Sequence, residues 1–239
     1  MSFDSADSWD PNSANGAWSS SAAVKEFTAT HRMIRRLSAM LRSAVQATGH
    51  EDGSARTRTL AKAMQFTVDG IRFHHALEDR EYWPAIVANG ADESELKPLM
   101  TEHEELDPII DQLEDRTQRL LKNPSDADAI DSSKELFGVF ADHISVHLDH
   151  EEPIFFPLLG KYLTDDEAKR IHKRVAKDAP RKGVSWLMGG VTYAMTPEEA
   201  TEFLAALPKP ITWLRPLLLQ RFKRNCTALG VDPASMSAR

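Results

Sequence analysis

The segment FHHALEDREYWPAI, residues 73–86, sets two adjacent histidines one helical turn ahead of a carboxylate and then places a proline where a helix would continue. On an α-helix a step of four residues returns to the same face, about 6 Å further along the axis, so His74 and Glu78 stand side by side. The segment has a counterpart downstream. A shift of 73 residues lays His74 on His147, Glu78 on Glu151, Asp79 on Glu152, Trp83 on Phe156 and Pro84 on Pro157. A shift of 72 lays His31 on His103, Ile34 on Leu106, Leu37 on Ile109 and Leu41 on Leu113. A duplicated helical hairpin follows, and two such hairpins packed about a pseudo-twofold axis bring both sets of polar residues to one centre.

Apolar residues at three- and four-residue steps define the four helices. The first carries Phe27, Met33 or Ile34, Leu37, Met40 or Leu41, and Val45, and ends before Gly49. The second runs from about Ala55 through Leu60, Met64, Val68 and Ile71 to a stop at Asn89 and Gly90. The third follows Asp92 or Ser94, carries Leu99, Leu106, Ile109, Ile110 and Leu113, and ends before Asn123 and Pro124. The fourth starts around Asp131, carries Leu136, Phe140, Ile144 and Leu148, and runs out near Gly160. Pro84 is predicted to kink or end its helix beyond the polar turn, and Pro157 to repeat this. The pattern predicts an all-α fold, an antiparallel four-helix bundle over residues 21–163. Residues 1–20 read as a polar tail with Trp9 and Trp18 as its docking points. Residues 164–239 read as a helical extension. There Thr164 with Glu167 forms a capping box, Thr196, Pro197 and Glu199 start another helix, and a last helix covers Ile211 to Ala228.

The apolar stripes carry the histidines inward. His31 lies four after Phe27 and three before Ile34, His103 four after Leu99 and three before Leu106, and His143 and His147 fall within the stripe of the fourth helix. A lone inward histidine is usually a satisfied core residue. Four at matched depth, joined by two His-x-x-x-Glu pairs, place buried imidazoles and carboxylates that cost several kcal/mol each unless paired or bound to metal. Imidazole with carboxylate suits iron, manganese or zinc, and two carboxylates able to bridge suit a pair of ions. The candidate ligands are His31, His74, Glu78, His103, His147 and Glu151, with His75 or Asp107 able to supply a further one. His143 and His150 flank the site on the fourth helix and either tune or orient the ligands or sit at the bundle surface. Asp79, Asp142, Asp149 and Glu152 are nearby acids that either face solvent or hydrogen-bond ligating imidazoles. No histidine has an acid three residues before it, against a ferritin-like di-iron site, and His103-Glu104 lacks the second histidine of a zinc-protease motif.

Over about residues 25–160 the chain resembles the hemerythrin-like, or HHE cation-binding, family. The resemblance rests on an inward His31, on FHHALEDREYWPAI, on EHEELDPIIDQL at 102–113 and on HLDHEEPIFFPLL at 147–159. It implies two iron ions joined by an oxo or hydroxo bridge, with an open position for O2, nitric oxide or hydrogen peroxide. His31 and His74 would hold one iron, His103 and His147 the other, with Glu78 and Glu151 bridging; Glu152 is the alternative to Glu151. Oxygen carriers of the family have His-x-x-x-His on the third helix, whereas here Asp107 follows His103. His75 would supply the missing imidazole, as in the iron-sensing F-box branch. The implied activity is binding or decomposition of small oxidants, catalase-like or nitric oxide peroxidase-like. The alternative is an iron or O2 sensor signalling through the extension.

Bulk properties narrow the partners. A net charge of -7 argues against nucleic acid as a partner. The charge is uneven: residues 161–239 hold 14 Lys/Arg against 8 Asp/Glu, a net of +6, which leaves -13 for residues 1–160. One cysteine, Cys226, fits a reducing compartment, and no signal peptide or membrane span is expected, so the cytoplasm is the expected location. The stretch WLRPLLLQRFKR, residues 213–224, mixes apolar and basic residues and reads as cover for the bundle, with membrane-surface contact as the other reading.

Overall fold

The computed structural model describes residues 21–180 and 182–236, and the tail expected over residues 1–20 lies outside them. Among the described residues there is no strand. Four long stretches of helix form the bundle: α1 (Ala22–Gln46), α2 (Ser54–Leu77) continued by α3 (Trp83–Ala88), α4 (Glu93–Lys122) and α5 (Ala127–Tyr162). Each of α1 and α4 packs against both α2 and α5, so the four close into a ring around one core. Asp92 caps α4 by accepting from the Ser94 N–H, and Asp126 caps α5 by accepting from Ala129, which starts that helix before the expected Asp131.

The prolines behave differently from the sequence expectation. Between α2 and α3 the chain makes one wide π-turn, Glu78–Tyr82, and the Trp83 N–H reaches five residues back to the Glu78 carbonyl. The helix is therefore widened rather than ended, and the irregularity begins at the polar turn itself instead of beyond it. One extra residue in that turn lets both Tyr82 and Trp83 bury, each 3% exposed. Such π-turns are frequent at functional sites. Pro157 does not repeat the effect: α5 runs unbroken past Pro153 and Pro157 to Tyr162. Phe155, Phe156 and Leu159 around these prolines are fully buried, and their packing outweighs the lost backbone bonds.

Beyond Leu163 come α6 (Asp165–Val175), α7 (Val184–Tyr193), α8 (Pro197–Ala206), α9 (Lys209–Trp213) and α10 (Arg215–Leu229). The capping boxes at Thr164/Glu167 and Thr196/Glu199 both form. The expected last helix is split at Leu214, because Pro216 favours a new helix start over an interior position. The extension is sealed to the bundle. Trp186, Phe222, Cys226, Leu229 and Met236 join one apolar cluster with Leu41, Leu60, Met64, Ile110 and Phe137 of the bundle. Gly189 makes this seam possible, since a Cβ there would run into the Phe222 ring. Arg36 of α1 donates to the carbonyls of Ala194 and Met236, and Arg32 makes two hydrogen bonds to the Glu199 carboxylate.

The apolar core of the bundle has a gap in it. One cluster ends at Ile34, Ile71, Leu106, Ile144 and Leu148, while the other begins at Phe27, Tyr82, Trp83, Leu99, Phe155 and Phe156. The layer between them holds the histidines.

Candidate metal centre

Seven side chains fill the polar layer. His31, His74, His75, Glu78, His103, His147 and Glu151 are all buried, none more than 5% exposed. Their ligand atoms fall into two groups, His31 with His74, Glu78 and Glu151, and His75 with His103 and His147, and within each group the atoms lie within 4.8 Å of one another. The two carboxylates stand at the boundary. Glu78 Oε1 lies 3.2 Å from His74 Nε2 and 4.0 Å from His31 Nε2, whereas its Oε2 lies 3.6 Å from His103 Nε2. Glu151 Oε2 is 3.3 Å from His147 Nε2 and 3.7 Å from His31 Nε2. Each carboxylate thus faces both groups.

The alternatives left open by the sequence separate by position. His75 is buried and stacks on His103, centroids 3.9 Å apart and planes 13° from parallel, while Asp107 is exposed. Glu151 points into the layer. Glu152 instead accepts from His31 Nδ1 at 3.1 Å and pairs with Arg35. The inward reading of His143 does not hold: it is exposed, its ring on the Val139 carbonyl of its own helix. His150 is likewise exposed.

The outer face of the layer fixes the imidazoles. His31 Nδ1 donates to Glu152, His103 Nδ1 to Asp79 at 2.9 Å, and His147 Nδ1 to Glu102 at 2.8 Å. An ionised carboxylate only accepts, so Nδ1 of each ring carries a proton and Nε2 faces inward. The duplication extends to these partners, because Asp79 and Glu152 are related by the 73-residue shift and serve His103 and His31, themselves related by 72. Asp142 and Asp149, by contrast, pair with Arg42 and Arg35 at the surface. Glu102 was missed by the sequence reading. Its only signal there is that it precedes His103, and it turns toward α5 to serve both His147 and, at 3.0 Å, His150.

Without a cation this layer is poorly satisfied. His31 Nε2, His74 Nε2, His75 Nε2 and both oxygens of Glu78 and of Glu151 are buried and make no hydrogen bond. His103 Nε2 and His147 Nε2, with Nδ1 of each ring turned outward, face each other at 3.2 Å. Burial, reinforced by the neighbouring imidazoles, holds His74 and His75 well below the ordinary histidine pKa, which keeps them neutral. Burial and then the charge of Glu151 push the Glu78 carboxyl well above the carboxylate range. Imidazole nitrogens turned inward around two buried carboxylates are a donor set that a metal cation completes, and these residues fit one.

Aromatic side chains close the centre. Trp83 stacks on His103 at 4.8 Å, and Phe27 sits edge-on to His31 at 5.9 Å. Residues 22–159 match the family model of the hemerythrin HHE cation binding domain. No curated protein and no solved structure matches the chain. The matched span takes in α1 to α4, α5 as far as Leu159 and the whole polar layer, more than half of the chain, and the chain belongs to the hemerythrin HHE cation-binding family.

Proposed function

We propose that the chain is a non-heme di-iron protein that binds or reacts with small oxidants, O2, nitric oxide or hydrogen peroxide. The observation that carries this reading is the position of Glu78, one oxygen toward His31 and His74 and the other toward His103. A carboxylate so placed supports two ions rather than one. His31 and His74 would hold one iron, His75, His103 and His147 the other, and Glu78 and Glu151 would span both. The group would supply Lewis acidity and reversible electron transfer when bound. The protein side chains do the rest. Asp79, Glu102 and Glu152 hold three imidazoles with Nε2 inward, and the Phe27, Tyr82, Phe155 and Phe156 side excludes bulk water.

Access favours a small reactant. A pocket of about 380 Å³ lined by Asp79, Trp83, Val87, Leu96 and Met100 opens beside the two side chains that touch His103. The seven side chains of the centre are each no more than 5% exposed, which favours a reactant of a few atoms. The test is an optical titration of the iron-loaded protein with peroxide, O2 and nitric oxide in turn. A spectral response to at least one of them is expected; inertness to all three refutes the reading.

A second reading, an iron or O2 sensor, is favoured by one contact. Arg32, the neighbour of His31, is bound by Glu199 of α8, which ties the extension to the α1 turn that bears a ligand. Under that reading Glu199→Gln leaves purified activity intact and abolishes the cellular response. We place the protein in the cytoplasm, where the buried Cys226 thiol, pushed up to about 12 by burial, stays reduced.

A further inference from the structure

The outer face of α9 and α10 is built unlike the rest of the surface. Trp213 is 76% and Leu217 62% exposed, the two most exposed large apolar side chains among the described residues, with Leu214 between them at 52%. The opposite face of α10 is the packed one, with Phe222, Cys226 and Leu229 in the core. Counting 100° per residue from Leu217, the residues Arg221 and Arg224 fall within 40° of it, so the exposed apolar end runs directly into a basic stripe. Pro208, Pro210 and Pro216 flank Trp213 and fix φ at the starts of α9 and α10, where each helix leaves its first N–H groups unbonded.

The charge of this segment is one-sided. Residues 203–231 contain five Lys/Arg and no Asp/Glu, in a chain of net charge -7. Lys209, Arg215, Arg221, Lys223 and Arg224 make no ion pair among the described residues, so no carboxylate offsets their charge. Unpaired cations next to a projecting indole and two leucines are the composition of an interfacial helix, apolar side chains entering the acyl boundary and Arg at the headgroups. A like copy is a poor occupant for this face, because a twofold contact would oppose Arg221 and Arg224 to themselves.

We propose that the Trp213–Arg224 face docks the protein on an anionic lipid bilayer. The same five cations give attraction to phosphatidylglycerol-type headgroups, and Trp213, Leu214 and Leu217 give the inserted anchor. Binding is peripheral, since no helix among the described residues is long and apolar enough to cross a membrane.

The experiment is co-sedimentation of the full-length protein with phosphatidylcholine vesicles, with and without phosphatidylglycerol. Binding is expected only to the anionic vesicles, and it should be lost as added salt shortens the screening length from about 10 Å to about 3 Å. At about fivefold per basic residue, R221Q/R224Q should weaken partitioning by about 30-fold. W213Q/L217Q should abolish it and remove the blue shift of tryptophan fluorescence on vesicle addition. Both pairs of side chains point away from the core, so melting temperature and metal content should match the parent, which separates docking from misfolding. Absence of binding to anionic vesicles, or equal binding by parent and variants, overturns the proposal. So does vesicle-independent self-association that these substitutions abolish, which would make the occupant a second copy.

Discussion

Replacing Glu102 separates an orienting carboxylate from a surface one. Its Oε2 accepts from His147 Nδ1 at 2.8 Å, and it is a quarter exposed. The fold itself gains little from this bond, about 1 kcal/mol or less, since water can replace one of its partners. The metal centre depends on it more. His147 Nε2 lies 3.3 Å from Glu151 and 3.2 Å from His103 Nε2, so a freed ring that turns removes one donor from the three-histidine group. Loss of such an outer partner costs about 10- to 100-fold in metal affinity, or about 1.4 to 2.7 kcal/mol. Glu102→Leu should show that loss in a chelator competition, while its metal-free melting temperature falls by no more than about 4 °C. Glu102→Gln keeps an acceptor oxygen and should lose less. His150→Ala, which touches only the other oxygen of Glu102 and is largely exposed, should bind metal as the parent does. Glu102→Leu with parental affinity would refute the orienting role and leave Glu102 a surface acid.

Other expectations follow from the same geometry. Glu78→Met should abolish metal binding yet leave a metal-free chain at least as stable as the metal-free parent, because it removes a buried carboxylate whose two oxygens have no hydrogen bond; denaturant melts with chelator present check this, and a clearly less stable variant contradicts it. Metal at about 100 times its Kd should stabilise the parent by about 2.7 kcal/mol, so stripping it should lower the melting temperature by roughly 5 to 10 °C in calorimetry. Gly189→Ala should cost about 1 to 3 kcal/mol by forcing Phe222 to move, with a smaller cost at Gly190, where the obstacle is the flexible Met33. The docking of α6 should depend on pH at both ends. His172, raised by its hydrogen bond to Glu26 of α1, contributes stability that is full below its unfolded pKa of 6.5 and lost as pH rises through the raised value. Glu167, lowered to about 2 by its bonds to Thr164, contributes stability present above 4.5 and lost as pH falls toward 2. Protection of α6 amides, corrected for intrinsic exchange, should therefore be greatest between these limits, and His172→Gln should remove the alkaline loss.

Much of this molecule is legible in its residues because its signals are periodic or duplicated. The four amphipathic stripes, the two His-x-x-x-Glu pairs and the capping boxes are local patterns, and the 73-residue shift even anticipates that Asp79 and Glu152 play matching roles. What escaped depends on three dimensions. Glu102 looks like a solvent-facing acid from its own helix, and its function comes from α5 across the groove. His143 shares a stripe with His147 on paper, but it stands one residue, about 100°, from Ile144 at the centre of the buried face and lies exposed at the stripe's edge. The π-turn at Glu78 has no residue signature beyond Pro84, since any sequence can widen by one residue when Tyr82 and Trp83 both gain burial. The seam of the extension was invisible because it rests on the small size of Gly189 opposite Phe222, not on any pattern.

The central claim is a seven-ligand centre for two ions, and iron stoichiometry tests it most directly. Protein purified from iron-replete cells, analysed for metal per chain beside His75→Ala and His31→Ala, should carry two irons in the parent and fewer in each variant. A parent with one iron or none, or a His75→Ala variant that keeps the full complement, would contradict the account.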